Sequence, residues 1–305
     1  MKQLVILSGK GGTGKTTVAA AFAHLASLES RIVLADADVD AANLELVLSP
    51  TKREEQDFYG GEVAVIDEQL CTACGRCAEV CRFDAPEKGD VCGRTTPYSI
   101  DPIACEGCAA CVYQCPVGAI RMAERLAGKW YRSDTGFGPL FHAHLFAGQE
   151  NSGKLVTQVK QQARSLALET QADYLIVDGP PGIGCPVIAA VSAADLALLV
   201  TEPTVSGAHD LERALATAAH FHVPALVCIN KADINPRWAT KIAATCREKG
   251  IEVVGHIPFD TIVTEAMVHG QPVTAYADHP VSHNLLRMWR RIREHMDNKL
   301  GVCQG

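Results

Sequence analysis

The chain has 305 residues, 48% of them hydrophobic, which is enough for one large α/β domain with a small insert. Its formal net charge of -7 argues against a nucleic-acid-binding surface, which needs a basic patch. No apolar run is long enough to span a bilayer, and the first eight residues lead into glycines, so they predict a buried strand and not a signal peptide. The thirteen cysteines therefore indicate a protein of the reducing cytoplasm and not a disulfide-rich secreted one.

A glycine-rich segment separates the first predicted strand, over 2–8, from a predicted helix over 17–28. Strand, loop and helix in this order match the phosphate-binding pattern G-x4-G-K-[ST], in which backbone N–H groups and the helix N-terminus face the phosphates. In such a loop Lys15 reaches the β- and γ-phosphates, and the hydroxyl of Thr16 binds Mg²⁺. The predicted nucleotide-binding residues of the loop are Gly11, Gly12, Thr13, Gly14, Lys15, Thr16 and Thr17.

A second lysine, Lys10, directly follows Gly9, the first glycine of the loop. This variant resembles the loop of the family that includes MinD, ParA and the nitrogenase iron protein. The resemblance implies a nucleotide-sandwich dimer in which Lys10 reaches the phosphates bound to the partner. It also implies a catalytic set of Lys10, Lys15 and Asp38. A solvated loop lysine is the alternative interpretation of Lys10.

The next predicted strand, over 31–35, ends in an acidic segment that contains Asp36, Asp38 and Asp40. Acidic groups at the carboxyl end of a parallel strand lie at the ligand edge of an open sheet. By the family resemblance, Asp36 belongs to the Mg²⁺ shell and Asp38 positions the attacking water. Acids near a helix start can instead cap that helix, and we assign this role to Asp40.

Two matched cysteine runs interrupt the α/β pattern over 61–125. The runs are Cys71-x2-Cys74-x2-Cys77-x3-Cys81 and Cys105-x2-Cys108-x2-Cys111-x3-Cys115. This is the spacing of bacterial-type ferredoxins with two [4Fe–4S] clusters, where the fourth cysteine of each run binds the other cluster. One cluster is then assigned to Cys71, Cys74, Cys77 and Cys115, and the other to Cys105, Cys108, Cys111 and Cys81. Zinc, the alternative for soft thiolates, usually takes C-x2–4-C pairs instead.

The ends of this insert are predicted from composition and from short apolar segments. The polar run 51–59 and the pair Gly60-Gly61 predict its first boundary. Short strands are predicted over 63–67 and 118–122, so each half combines a strand with a cysteine run. Cys92, in the long segment between the runs, is not assigned as a ligand.

After the insert, residues 130–146 predict a return to the main sheet, and residues 155–168 predict a helix. A further apolar strand, over 173–177, ends in Asp178. By resemblance this is a Walker B strand, and Asp178 would hold Mg²⁺ through water. The predicted switch II residues that follow are Gly179, Pro180, Pro181 and Gly182. Two prolines make this loop stiff, so we expect it to move as a rigid segment.

Cys185 lies seven residues after Asp178, where the nitrogenase iron protein has a cysteine that binds a cluster shared between subunits. Such a cluster needs a second cysteine from each subunit, and none occurs between Cys115 and Cys185. We therefore predict that Cys185 is a small, buried core thiol.

A strand over 224–229 leads to Asn230-Lys231-Ala232-Asp233, which resembles the base-binding segment of the family. The same letters fit the N-K-x-D motif of GTPases, so GTP is the alternative nucleotide, while the loop and switch segments favour ATP. After a strand over 251–256, Pro258 and Asp260 look like the second base-contacting loop. A plain strand-to-helix turn is the alternative for Asp260.

The last predicted element is an amphipathic basic helix. Its apolar side chains are Leu285, Trp289, Ile292 and Met296, with arginines between them. MinD-like proteins use a terminal helix of this kind on membranes. Packing of the apolar stripe on the core is the more ordinary arrangement for such a helix, and we expect it here.

Together, these features predict an α/β fold with a doubly wound, mostly parallel sheet, as in MinD-like P-loop NTPases. Residues 1–60 and 126–305 are expected to form this ATPase domain, and 61–125 an inserted α+β ferredoxin-like domain. The resemblance implies ATP or ADP, Mg²⁺ and two [4Fe–4S] clusters as cofactors.

The expected activity is ATP hydrolysis by a dimer, with itself or with a related ATPase, coupled to electron transfer to a protein redox partner. An iron–sulfur assembly or carrier ATPase with an apo-protein acceptor is the alternative, although the C-x-x-C pair of Mrp-type carriers is absent near the C-terminus. A spatial-positioning ATPase is a further alternative, and it would need the terminal helix to bind lipid. We expect no nucleic-acid partner and no membrane attachment.

Overall fold

The computed structural model describes residues 1–91, 94–149 and 152–298. The chain separates into two compact units. The first comprises residues 1–56, 130–144 and the chain from 152 onward, and the second comprises 57–129 and 145–151. The insert predicted over 61–125 lies within the second unit.

The strands are β1 (Lys2–Ser8), β2 (Ile32–Asp36), β3 (Thr51–Ile66), β4 (Pro86–Val91), β5 (Arg94–Ile100), β6 (Ile120–Asp134), β7 (Pro139–Leu145), β8 (Tyr174–Pro181), β9 (Leu196–Thr201), β10 (Ala225–Asn230) and β11 (Val253–Ile257). The helices are α1 (Lys15–Ser27), α2 (Leu44–Leu48), α3 (Arg76–Val80), α4 (Ala110–Gln114), α5 (Ser152–Glu169), α6 (Cys185–Val191), α7 (Val205–His220), α8 (Pro236–Glu248), α9 (Ile262–Val268), α10 (Val273–Tyr276) and α11 (Pro280–Asn298).

Nine strands form one sheet in the order β11-β10-β9-β1-β8-β2-β7-β6-β3, and β4 and β5 form a separate antiparallel pair. All neighbouring pairs from β11 to β7 are parallel. The inner strands β1, β8 and β9 are almost continuously apolar and buried, as expected where helices cover both faces of a parallel sheet. The predicted mostly parallel α/β fold is confirmed.

The carboxyl ends of β1, β8 and β2 meet at one edge of this sheet. In the register, Ile6 of β1 and Asp36 of β2 both lie opposite Asp178 of β8. The chain passes from β1 to β2 on one side of the sheet, whereas it passes from β8 back across β1 to β9 on the other side. Such a switch point in an open sheet leaves a crevice beyond the carboxyl ends of the strands. The acidic groups and the glycine-rich loop predicted from the sequence therefore converge on this crevice.

Helix α11 packs its apolar stripe on the core of the first unit, as expected. Leu285, Trp289, Ile292 and Met296 are all buried. The ring centroid of Trp289 lies 5.3 Å from that of Phe22. Among the described residues, no helix combines the length and apolarity that crossing a bilayer requires.

The polar run 51–59 was predicted to be a boundary segment, and the two compact units divide between residues 56 and 57, within this run. The run is nevertheless part of a strand, which was not predicted. Strand β3 runs unbroken from Thr51 to Ile66, although most of its first nine residues are exposed. It pairs with β6, and ion pairs reinforce the pairing: Arg53 with Asp134 (2.6 Å) and Arg132 with Glu54 (3.2 Å). A strand whose side chains are charged on both faces has a composition that resembles a loop.

Candidate functional site

The glycine-rich loop joins β1 to α1 and needs glycine where its backbone turns. Gly12 and Gly14 have φ angles of 77° and 93°, which only glycine adopts readily. A Cβ on Gly14 would lie 2.3 Å from Nδ2 of Asn230. That nitrogen donates a hydrogen bond of 2.8 Å to the carbonyl oxygen of Thr13. The loop is thus held against the end of β10 through a contact that leaves no room for a side chain.

Lys15 begins α1 and is buried, with its Nζ 4.0 Å from Oδ2 of Asp38. Two oxygen atoms of the site, Oγ1 of Thr13 and Oδ1 of Asp178, are buried without a hydrogen-bond partner. Buried polar atoms are nearly always paired, so unpaired ones at a helix N-terminus indicate space for a polar ligand.

Asp36 anchors the acidic segment that follows β2. Its carboxylate accepts hydrogen bonds from the backbone N–H groups of Asp38 (3.1 Å), Asn43 (3.1 Å) and Leu44 (3.0 Å). Complete burial, together with the charge of Asp178, raises the pKa of Asp36 well above its ordinary value. Asp36 therefore fixes the shape of segment 37–44, a role that the sequence analysis did not assign to it.

Asp178 has the chemistry expected of a magnesium-shell residue. Burial raises its pKa to about 6, although Lys15 and a hydrogen bond from Thr16 act in the opposite direction. A buried carboxylate with an unpaired oxygen gains stability from a cation, and Mg²⁺ prefers oxygen ligands. The Thr16 hydroxyl and the Asp178 carboxylate therefore fit Mg²⁺ with its waters.

The predicted switch II loop is shorter than expected, because Gly179, Pro180 and Pro181 continue strand β8. Pro181 pairs with Ser8 of β1, and the N–H of Gly182 donates to the carbonyl oxygen of Ser8 at 2.9 Å. Gly182, with a φ angle of 91°, then turns the chain. The loop proper thus begins at Gly182, because pairing with β1 extends the strand through both prolines.

Lys10 is not a freely solvated lysine. Its Nζ lies 3.1 Å from Oε2 of Glu202, which follows β9. Glu202 also binds Lys231, whose Nζ donates to the carbonyl oxygen of Gly12 at 3.2 Å. Burial alone would raise the pKa of Glu202, but its hydrogen bonds from Lys231 and Lys10 hold it below the ordinary value. Glu202 was not identified from the sequence, although an acid at the carboxyl end of a parallel strand is the same signal that identified Asp36.

The residues predicted to contact the base have protein partners in this structure. The Asn230 amide binds Thr13, as described above, and its Oδ1 accepts the N–H of Lys231. Oδ1 of Asp260 accepts the N–H of Ile262 at the start of α9, at 3.0 Å. These are the contacts of a strand-to-helix turn, the alternative considered for Asp260. A base-contacting role for Asn230, Asp260 and the neighbouring Pro258 stays a prediction.

The cysteine runs form two copies of one local structure, 34 residues apart by subtraction of the paired residue numbers. The carbonyl oxygen of Asp67 accepts the N–H of Cys71 (3.0 Å), and that of Asp101 accepts the N–H of Cys105 (3.1 Å). Each run then passes through left-handed residues into a five-residue helix, α3 or α4. The left-handed residues are Ala73 and Gly75 in the first run, and Gly107 and Ala109 in the second.

Each run contributes three cysteines to one cavity and its last cysteine to another. The first cavity is lined by Cys71, Cys74, Cys77 and Cys115, among others. The second cavity is lined by Cys81, Cys105, Cys108 and Cys111, among others. All eight cysteines are free thiols. These two sets of four are the two groups that ferredoxin spacing indicates.

The separation of these thiols bears on the kind of metal centre that they suit. In the described part of the chain, three or more His, Cys, Asp or Glu ligand atoms lie within 4.8 Å of one another only at Glu45, His142 and His144. A tetrahedral Zn²⁺ with Zn–S bonds of about 2.3 Å would bring its thiolates to about 3.8 Å from one another. In this structure no three of the eight thiols lie as close together as a single zinc ion would hold them.

Cys185 was predicted to be a buried thiol, and this prediction was wrong. It is exposed, because it is the first residue of α6, and the helix buries Val187, Ala190 and Val191 instead. Cys92 lies outside the described residues.

Comparisons with known proteins agree with this architecture. Residues 4–273 match the family described as CbiA, the CobQ/CobB/MinD/ParA nucleotide binding domain. The uncharacterized protein MJ0578 of Methanocaldococcus jannaschii is 33% identical over 293 residues, which cover 96% of each chain. An iron-sulfur cluster carrier protein of Pyrococcus abyssi is 24% identical over 320 residues, covering 99% of this chain and 88% of its own.

Among solved structures, the septum site-determining protein MinD of Pyrococcus horikoshii, complexed with Mg-ADP, has a TM-score of 0.57. It is 17% identical and the match covers 95% of each chain, so it supports the fold. The family match extends over most of the chain and includes the glycine-rich loop, Asp36, Asp178 and Asn230. The chain belongs to the CobQ/CobB/MinD/ParA nucleotide-binding domain family.

Proposed function

We propose that this chain is an ATP-hydrolysing iron–sulfur protein in which nucleotide state controls electron transfer through two [4Fe–4S] clusters to a protein partner. The observation that carries the proposal is the pair of four-cysteine cavities in a chain with a family phosphate loop. Soft thiolates at this spacing are the usual ligands of cubane clusters.

The nucleotide end of the proposal rests on residues around the phosphate loop. Lys15 would bind the β- and γ-phosphates, and Thr16 with Asp178 would hold Mg²⁺. Asp38, whose carboxylate lies 4.0 Å from the ammonium of Lys15, would orient the attacking water. The unpaired oxygens of Thr13 and Asp178 support a polar ligand here.

The switch in the proposal rests on Lys10 and on the two segments that follow β2 and β8. In a dimer, with itself or a related ATPase, Lys10 would exchange Glu202 for the phosphates on the partner. Segment 37–44 depends on the Asp36 carboxylate, and Gly182 is joined directly to the strand of Asp178. A γ-phosphate that moves either aspartate would therefore move the attached segment.

The redox end of the proposal rests on the eight thiols, which would hold clusters that supply one-electron transfer. The assignment is Cys71, Cys74, Cys77 and Cys115 for one cluster, and Cys105, Cys108, Cys111 and Cys81 for the other. Burial raises the pKa of Cys77 and Cys111, so a metal that binds these thiols must displace a proton from each.

The cluster assignment is tested by iron content after anaerobic purification. The wild-type chain should hold about eight iron atoms. Cys115→Ser and Cys81→Ser should each remove about half of them, from different clusters with distinct paramagnetic resonance signals. Cys185→Ser is the matched control, since Cys185 lines neither cavity. Zinc in place of iron, or a full iron content in both variants, would contradict the assignment.

Coupling is tested by partner purification from the native cell, followed by reduction of that partner with the chemically reduced protein. The rate should differ between ATP and ADP. In Lys15→Ala it should become independent of nucleotide, because the variant no longer binds the phosphates. Equal rates with ATP and ADP in the wild type would remove the coupling from the proposal.

A second function is favoured by one observation, the name of the Pyrococcus abyssi relative, iron-sulfur cluster carrier protein. A carrier would transfer its iron to an apo-protein instead of passing electrons. Radioactively labelled iron distinguishes the two functions. Label that moves to an acceptor during ATP turnover supports the carrier, and label that stays while the acceptor is reduced supports electron transfer.

A further inference from the structure

A compact group of metal-binding side chains lies outside both the phosphate loop and the cysteine cavities. His142 and His144 belong to β7 and, two residues apart on a strand, point to the same face. Glu45, from α2, lies between them. Its Oε2 is 3.0 Å from Nδ1 of His142, and its Oε1 is 3.0 Å from Nε2 of His144.

The ring of His142 is held in place from several sides. It is completely buried, and its Nε2 lies 2.9 Å from the hydroxyl of Ser133, which is also buried. Tyr131 stacks on the ring, with centroids 5.1 Å apart. A histidine that binds a metal with one nitrogen commonly has the other fixed by a hydrogen bond, which orients the ring.

The remaining nitrogen of His142, Nδ1, faces Glu45 but makes no hydrogen bond of acceptable geometry. It is therefore a fully buried polar atom that is aimed into the group without an aligned hydrogen bond. A carboxylate that only bridged two imidazoles would satisfy both ring nitrogens with aligned hydrogen bonds. An ion between the three side chains would satisfy Nδ1 through a coordinate bond.

We propose that Glu45, His142 and His144 bind a divalent transition-metal ion, such as Zn²⁺, at a site separate from the nucleotide and from the cysteines. Two imidazoles and one carboxylate are typical ligands of such ions. Bonds of about 2.0–2.1 Å in a tetrahedron place ligand atoms about 3.3 Å apart. The two separations of 3.0 Å are close to that value, so the ion needs only small side-chain adjustments.

The site has one open side. The side chain of His144 is 40% exposed, whereas that of His142 is fully buried. Three protein ligands with solvent on one side leave a coordination position for water or for an external ligand. This distinguishes the site from closed structural zinc sites with four protein ligands.

Zinc binding to the whole chain, with its iron–sulfur content intact, tests the proposal. Isothermal titration with Zn²⁺ should show about one more ion per chain in the wild type than in His144→Gln or Glu45→Gln. Zinc that binds to cysteines is common to all variants and cancels in this difference. His283→Gln is the matched control, because His283 is an exposed histidine paired with a single acid, Asp278, and should bind zinc as the wild type does.

Ser133→Ala provides a variant that keeps all three ligands. It should weaken zinc affinity at this site by about tenfold or more, because the ring of His142 loses its orienting partner. X-ray absorption at the zinc edge should show nitrogen and oxygen neighbours for the ion that His144→Gln loses. Equal zinc stoichiometry and affinity in the wild type and in a folded His144→Gln would overturn the proposal, and so would sulfur neighbours alone. In either case Glu45 would only accept hydrogen bonds from the two histidines.

Discussion

Lys10 and Glu202 form an ion pair, with Nζ 3.1 Å from Oε2, within a single chain. The lysine that the family motif assigns to a partner's phosphates is therefore held by its own chain. The same carboxylate binds Lys231, so one acidic residue restrains two lysines beside the phosphate loop. The pairing of Lys10 with Glu202 thus competes with any contact that Lys10 makes across a dimer.

Glu202→Gln should therefore strengthen ATP-dependent dimerisation. The pair is partly exposed, so its loss corresponds to about 0.2–1 kcal/mol, or an association about 1.4- to fivefold tighter. Sedimentation velocity with a non-hydrolysable ATP analogue measures this change. Glu212→Gln, which removes the exposed pair of Glu212 with Lys249, should leave dimerisation unchanged. Weaker association in Glu202→Gln would mean that Glu202 supports the dimer-competent loop instead of restraining it.

Asp178→Asn should change how stability depends on pH in the nucleotide-free, magnesium-free protein. Burial raises the pKa of Asp178 from 3.8 to about 6. Between these values the folded chain keeps a proton that the unfolded chain has lost, so wild-type stability falls as pH rises through this window. Asparagine has no such proton, and the variant should be more stable than the wild type by about 1–3 kcal/mol at neutral pH.

Urea unfolding between about pH 5 and pH 8 measures the difference in unfolding free energy between Asp178→Asn and the wild type. This difference should become smaller toward pH 5. Asp40→Asn, an exposed acid of the neighbouring segment, is the control and should follow the wild-type curve. A constant offset between Asp178→Asn and the wild type at every pH would exclude titration of Asp178 as the cause. With Mg²⁺ and nucleotide present the order should reverse, since only the carboxylate stabilises the cation.

Lys160→Met should lower the free energy of unfolding by about 2–4 kcal/mol. The buried ammonium of Lys160 donates to the carbonyl oxygens of Ala189 (2.6 Å), Ala190 (3.0 Å) and Ser192 at the end of α6. Methionine fills similar space but leaves these acceptors unpaired. Lys154→Met, at an exposed position of the same helix, should change stability by less than about 0.5 kcal/mol. Equal urea midpoints for the two variants would contradict this account.

Trp289→Ala should destabilise the chain by about 3–5 kcal/mol, because its indole packs between Phe22 and Tyr174. Trp289→Phe should cost less, since a ring is retained. Arg290→Ala, on the exposed side of the same helix, should be nearly neutral. The same burial predicts that the wild-type protein does not sediment with anionic liposomes. Sedimentation with liposomes would show that α11 leaves the core and would favour a membrane-positioning role.

The parts of the fold that local sequence determines were predicted from the sequence. The helix after the phosphate loop, predicted over 17–28, is α1 over Lys15–Ser27, and the apolar strands were found because continuous hydrophobic runs mark a buried parallel sheet. Strand β3 was missed because its stability comes from pairing with β6, far along the chain, and not from its own composition.

The site was predictable where one motif supplies it and unpredictable where distant elements meet. The glycine-rich loop and the segments with the aspartates each contain their functional residues within a few positions of one another, so the sequence predicts them. Tertiary packing brings Glu202 to the phosphate loop and brings Glu45, His142 and His144 together. No spacing of residues along the sequence therefore predicts either arrangement. The only local indication of the three-residue group is that His142 and His144 are two residues apart on a strand. This spacing is weak evidence for a metal site unless Glu45 is known to lie beside the two histidines.

The exchange of the last cysteine between the two runs makes the halves of the insert depend on each other. Neither half carries four thiols for either cavity, since Cys81 and Cys115 each line the cavity of the opposite run. A chain cut between Cys81 and Cys105 would leave each fragment one thiol short for its own cavity. Completion of either four-cysteine cavity therefore requires both halves of the insert to fold together.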